Sequence, residues 1–204
     1  MLTFIKKHCY LNFDFSIVLI ALSALCVLPF LLTFPEEYGY ENGIIENIQM
    51  CVLLSGVYFS LTVKEFKKLF VFVAFFISIL LLREVNCGRT LFFPVEGVEN
   101  TFYKWKELKY GYLAHPIFGF YIVLVLFYFV KNKLLADVFQ IFKKFRIPVL
   151  SILFFFFSFV CGIYAERKMH NLVFEEFAEL LVYVFFVQIL WMYSRQKVKK
   201  VQDA

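Results

Sequence analysis

Six apolar blocks, each close to the length that crosses a lipid bilayer, dominate this chain: residues 15–34, 44–63, 69–82, 113–130, 147–165 and 180–193. A helix rises about 1.5 Å per residue and the hydrocarbon core is about 30 Å thick, so about 20 residues make a crossing. Composition agrees, with 62% of the 204 residues hydrophobic and 18% charged, where soluble domains have about 45–50% and about 25%. An ordinary soluble domain is excluded. The pattern predicts an all-α integral membrane protein, a six-transmembrane-helix bundle forming a single domain over 1–204.

Two of the blocks are too short. Residues 69–82 and 180–193 supply about 14 residues each, about 21 Å of helix, so each must extend into a polar flank. The predicted spans become 15–34, 44–63, 69–88, 113–130, 147–165 and 174–193.

Placing the loops alternately on two sides separates the basic residues. The tails and even-numbered loops hold Lys6, Lys7, Lys64, Lys67, Lys68, Lys131, Lys133, Lys143, Lys144, Arg146, Arg195, Lys197, Lys199 and Lys200, two thirds of the 21 Lys and Arg. The positive-inside rule makes that side cytoplasmic, with both termini inside. Of the 16 acidic residues only Asp14, Glu65, Asp137 and Asp203 share it. The net charge of +5 belongs to the inner face and calls for no nucleic acid. Lys6 and Lys7 ahead of an apolar run look like a signal peptide, but no small-x-small cleavage site follows, so the run is expected to stay as the first span. The five cysteines form no C-x-x-C pair and indicate neither a disulfide framework nor a zinc knuckle. No Gly-rich phosphate loop, H-E-x-x-H or G-x-S-x-G motif is present, and the cofactor is left unknown.

Two segments are expected to lie along the membrane surface. Within 133–145, Leu134, Leu135, Val138, Ile141, Phe142 and Phe145 fall on one helical face and Lys143, Lys144 and Arg146 follow, the pattern of an in-plane amphipathic helix. A cytoplasmic extension of a neighbouring span fits the same residues. On the other side, residues 93–112 carry Phe102, Tyr103, Trp105, Tyr110 and Tyr112, rings suited to the headgroup level. That loop is either a lid or a simple anchor.

Extending the short spans draws ionisable residues into the extracytoplasmic half of the membrane. The third takes in Arg83, Glu84, Asn86 and Cys87, with Arg89 at its end; Arg83 is expected to share a face with Asn86 and Cys87, and Glu84 to point partly away. The sixth takes in Glu175, Glu176 and Glu179. The second, preceded by Glu41, begins with Glu46, Asn47 and Gln49 in its first turns, the fourth begins near His115, and the fifth ends at Glu166 before His170 and Asn171. Charged side chains in a span cost about 2.5–3.5 kcal/mol at the bilayer centre and usually face a partner or a cavity. Two readings follow. In one, Arg83 pairs with a glutamate to lock the bundle, Asn171 caps the last helix and the carboxylates favour its N-terminus. In the other, three glutamates within five residues are too many for one arginine, and they hold a proton, bind a cation or reach water in an outward-facing pocket.

The stretches Glu41-Asn42-Gly43-Ile44-Ile45-Glu46 and Arg83-Glu84-Val85-Asn86-Cys87-Gly88-Arg89, with His170-Asn171 and Glu175-Glu176, resemble a group of uncharacterised polytopic bacterial membrane proteins with E-x-G-x-x-E and R-E-x-x-x-G-R segments. The resemblance covers spans two to six and implies a bacterial cytoplasmic (inner) membrane and no known activity.

Three functions compete. An enzyme acting on a lipid or lipid-linked substrate would use Glu175, Glu176 or Glu179 as general acid or base with Arg83 and Glu84 in the same site, while Glu46, Asn86, Arg89, His115, His170 and Asn171 bind substrate and the arginines grip a phosphate or carboxylate. A divalent cation held by the carboxylates with His115 or His170, or a Cys87 nucleophile activated by one of those histidines, are variants of it. A cation- or proton-coupled transporter would use the same glutamates, but the inner halves of the spans are read as apolar with only Ser, Thr and Cys interrupting. A non-catalytic assembly subunit would offer the pocket to a partner helix.

Overall fold

The computed structural model describes residues 9–12, 15–31, 33–98 and 101–195. Lys6, Lys7, Asp14, Lys197, Lys199, Lys200 and Asp203, used above for orientation, lie outside the described residues. The described chain is mostly helical: α1 (Phe15–Val27), α2 (Ile44–Thr62), α3 (Lys67–Glu84), α4 (Arg89–Phe92), α5 (Ala114–Lys131), α6 (Leu134–Lys144), α7 (Val149–Tyr164) and α8 (Leu172–Ser194). Two short strands, β1 (Cys9–Tyr10) and β2 (Ile147–Pro148), pair in parallel.

Among the described residues three stretches are long and apolar enough to cross a membrane, Glu36–Thr62, Gly111–Lys131 and Val149–Met169, and Lys67–Glu84 with Asn86–Phe92 makes a fourth if that bent pair counts as one span. The first of the three adds a 3-10 turn (Glu36–Gly39) ahead of α2, and Val149–Met169 extends α7 through a π turn (Ala165–Met169). Along α5, Ile117, Phe120, Phe127 and Val130 are all more than 60% exposed, as expected of a membrane protein whose apolar side chains meet lipid rather than water. α1 is shorter, with a 3-10 turn (Leu28–Phe30) that has Pro29 in its first positions. α8 has 23 residues, about 34 Å of helix.

The third predicted span, 69–88, departs from a straight helix. α3 ends at Glu84, and Asn86, Cys87 and Gly88 follow with φ of 44°, 55° and 90°. The left-handed region is free for glycine, tolerated by asparagine and costly for other residues with a Cβ, so Gly88 takes the largest positive φ without cost while Cys87 is held there against its preference. The chain leaves through Asn86–Phe92, which contains α4 and is bent 57° from α3. Arg83 therefore does not share a helical face with Asn86 and Cys87.

Four helices stand side by side in the order α3, α2, α8, α7. Gly56 of α2 sets the closeness of that row: a Cβ there would meet Val187 Cγ2 at 2.8 Å and Ile77 Cδ1 at 3.2 Å, so a side chain would push α2 off both neighbours. Leu53, Phe70, Ile77, Tyr183 and Leu190 form the core between α2, α3 and α8. α5 attaches to the outside of α3 through Ser78–Tyr121 at 2.6 Å and ring contacts of Phe72 with Phe129 and Phe75 with Tyr128. The alternating directions gather the starts of α2, α5 and α8 with the ends of α3 and α7 at one end of the bundle, the polar end. Lys64, Lys67, Lys68, Lys131, Lys144 and Arg195 lie at the opposite, basic end.

α6 packs at the basic end. Leu134 is fully buried, Ile141 joins the core, and Lys144 pairs with Glu65 at 2.6 Å. Leu135, Phe139 and Phe142, spaced by four and three, form an exposed apolar stripe beside Lys143. Towards the same end the expectation of purely apolar helices with only Ser, Thr and Cys needs correction. Asn12, 1% exposed, donates to Ser151 Oγ at 2.6 Å and accepts from the Leu150 backbone N–H at 3.0 Å; Ser151 donates to Gln188 Oε1 at 2.6 Å. This neutral chain clamps the segment before α1 to α7 and α8.

Candidate functional site

The polar end is built on a stripe along α8. Glu175, Glu179 and Tyr183 are each four residues apart and so lie on one face, while Glu176, about 100° further round, turns to α2. There Gln49, fully buried, donates from Nε2 to Glu176 Oε2 and to the Glu176 backbone carbonyl, both at 2.9 Å. Glu46 is also buried and accepts from the backbone N–H of Asn42, one residue ahead of the N-cap Gly43.

On the other face of α8 stands Arg83. Its Nη2 lies 2.6 Å from Glu179 Oε2, 2.8 Å from Glu84 Oε1 and 3.0 Å from Tyr183 Oη, and its Nε donates to Glu84 Oε1 at 3.0 Å. Tyr183 donates in turn to Glu84 at 2.7 Å. Glu84 does not point away from the cluster: its side chain is 7% exposed, whereas that of Arg83 is 54% exposed. A carboxylate this buried needs its charge met by charged or strong donors, and the guanidinium and the phenol supply them. Glu176 lies within electrostatic reach of Glu46, Glu84 and Glu179, while the Arg83 guanidinium pairs with two of these carboxylates, Glu84 and Glu179.

Beside this network runs a groove of about 400 Å³. α8 is its floor, with Val182 and Phe186; α3 supplies Phe76 and Leu80, and α7 supplies Phe155, Phe159 and Ile163. Its polar end carries Arg83, Glu166, Glu175, Glu179 and Tyr183. An apolar cleft with a few convergent polar groups is the usual form of a small-molecule site.

The remaining expected residues are elsewhere. Arg89 pairs with Glu41 through Nη2, at 3.0 Å and 3.2 Å from the two carboxylate oxygens, and its guanidinium lies 5.7 Å from the centre of the Phe102 ring. With the Asn86 oxygen turned to it, Arg89 also donates from Nη2 at 2.8 Å and Nε at 3.1 Å. The opposite amide orientation offers that oxygen only to Trp105 Nε1 at 3.4 Å, and the charged donor is the stronger partner. Arg89 and Asn86 thus tie the aromatic loop to the bundle, and neither lines the groove. In that loop Pro94 bridges Phe102, while Trp105 packs edge-on against Phe93 and His115. His115 is exposed at the start of α5 and His170, with φ 50°, at the turn before α8. Asn171 caps α8 by accepting from the Phe174 N–H at 2.9 Å. Cys87 makes no hydrogen bond with either histidine among the described residues, and no group of three or more His, Cys, Asp or Glu there could hold a metal ion.

Tyr183 and Gln188 were not singled out from the sequence. Tyr183 stands four residues beyond Glu179, a spacing that flags it, and Gln188 is a lone amide in an apolar run. No protein-family model matches the chain, and no curated protein or solved structure shows significant similarity to it.

Proposed function

We propose that this chain is a six-span protein of a bacterial cytoplasmic membrane with both termini inside, and that it is an enzyme acting at the outer leaflet on a lipid or lipid-linked substrate. The spans are α1, α2, α3 with its bend, α5, α7 and α8. Orientation rests on the basic end, which the positive-inside rule places in the cytoplasm, and the bacterial assignment on the resemblance in Glu41–Glu46 and Arg83–Arg89.

The groove is the observation that carries the reading: lipid-level Phe and Val walls lead to Glu175, Glu179 and Arg83. A chain in it would place its headgroup at those residues. Glu179 is committed to Arg83 at 2.6 Å, so the carboxylate placed to move a proton is Glu175, one turn nearer the membrane surface. Arg83, half exposed though doubly paired, presents its outer edge to a phosphate or carboxylate oxygen. Tyr183 and Glu84 hold that guanidinium in place.

Transport is less well supported. Beyond Tyr183 the bundle interior is Leu53, Ile77 and Leu190, and the buried chain of Asn12, Ser151 and Gln188 carries no charge. The test is incubation of the purified protein in vesicles of a total bacterial lipid extract, followed by mass analysis of the lipids. Conversion of one lipid class by the native protein, lost in Glu175→Gln with the helical spectrum intact, is expected. No lipid changed, or equal conversion by that variant, overturns the reading.

A further inference from the structure

The polar rim of the groove is not electrically balanced. Glu166, Glu175 and Glu179 line it against Arg83 alone, and Arg83 is shared between Glu179 and the buried Glu84. Arg167 and Lys168 lie on the same π turn as Glu166 but are exposed and line no part of the groove. Glu166 and Glu175 come from neighbouring helices at the mouth of the cleft, one on the π turn that ends α7 and the other at the start of α8, each with no ion pair among the described residues.

From this we infer that the occupant is an amphiphile whose headgroup carries an ammonium. The ammonium sits between Glu166 and Glu175, and the alkyl chain runs over Val182 and Phe186 between Phe76 and Phe155. An ammonium is a compact donor to several acceptors, and both carboxylates are at the mouth, where a lipid headgroup emerges. An anionic head with no amine meets only the outer edge of Arg83 and is repelled by three carboxylates. The inference rests on the lipid-groove reading and narrows it to aminolipids.

The test is native mass spectrometry of the full-length protein released from detergent with phosphatidylethanolamine, its N-acetylated form, or phosphatidylglycerol, all with the same chains. Gly162→Leu serves to fill the groove: Gly162 lines it, and a Cβ there meets Ala178 Cβ at 3.7 Å, an ordinary van der Waals contact. Ile163→Trp, at the exposed margin, is a second block should the first misfold. Phosphatidylethanolamine is expected to be retained about tenfold over the other two, the ratio that about 1.4 kcal/mol from one charge-assisted contact gives. The preference should vanish in Glu166→Gln/Glu175→Gln. Equal retention of all three lipids, blocked by Gly162→Leu, overturns the ammonium and leaves the groove standing. Retention that neither Gly162→Leu nor Ile163→Trp reduces overturns the groove as a lipid site, and the inference with it.

Discussion

Arg83 Nη2 lies 2.6 Å from Glu179 Oε2 and joins the end of α3 to the start of α8 across 96 residues of sequence. The same nitrogen holds Glu84, the most enclosed member of the pair network, so the guanidinium is a structural centre as well as the rim of a groove. Lock and site, posed as alternatives by the sequence, share one residue here.

Removing that guanidinium should leave Glu84 buried with only Tyr183 as donor. Arg83→Ala is expected to destabilise the protein by about 2 kcal/mol, below the about 3–5 kcal/mol typical of a fully buried pair because Arg83 is half exposed. The double variant Arg83→Ala/Glu84→Gln should recover most of the loss. Thermal unfolding in detergent measures both, and a double variant no better than the single one would refute the network.

Glu176 and Glu179 are neighbours in sequence but not in role. Glu176→Gln keeps an oxygen for Gln49 Nε2 and lies outside the groove, so lipid retention should be unchanged. Glu179→Gln frees Arg83 to pull towards Glu84 and should change retention severalfold. The same lipid titration on both variants is the check, and equal effects would contradict the division of the α8 faces.

At the basic end, Ser151 accepts from Asn12 and donates to Gln188, both at 2.6 Å. Ser151→Ala removes one partner each from Asn12 Nδ2 and Gln188 Oε1, while Asn12 Oδ1 keeps the Leu150 N–H and Gln188 Nε2 keeps Met192 Sδ, and should cost about 1–3 kcal/mol, the range for a buried group that loses its partner. Adding Gln188→Leu should cost much less than its effect alone. Additive losses in a double-mutant cycle would show that the chain is not a unit.

Bilayer thickness made the helical segments legible: 44–63, 113–130 and 147–165 appear as α2, α5 and α7 with small shifts at their ends. The amphipathic run at 133–145 is α6. The gathering of Arg83, Glu84, Glu175, Glu176 and Glu179 at one end was legible too, because two greasy blocks were too short to cross without them. Helical periodicity misled at the end of α3, where Asn86, Cys87 and Gly88 leave the helix; a glycine that permits positive φ signals such a break but does not compel it. The groove was not legible, because it depends on which helices are neighbours, and apolar blocks of near-uniform composition carry no such order. Asn12 and Gln188 were missed for a related reason: a neutral amide, whether ahead of a span or within one, has meaning only once its partner is known.

The claim that the polar end lies in the outer leaflet is tested most directly by membrane-impermeant thiol labelling in intact cells. Single cysteines are placed in a chain whose five native cysteines have been replaced. Cysteine in place of Lys168, at the exposed turn before α8, should react from outside, and cysteine in place of Lys143, on α6, only after the membrane is opened. In place of Glu175, at the groove mouth, it should react slowly from outside and be protected by added lipid. Reaction at position 143 from outside, with 168 and 175 silent until the cells are permeabilised, would invert the protein and contradict the account.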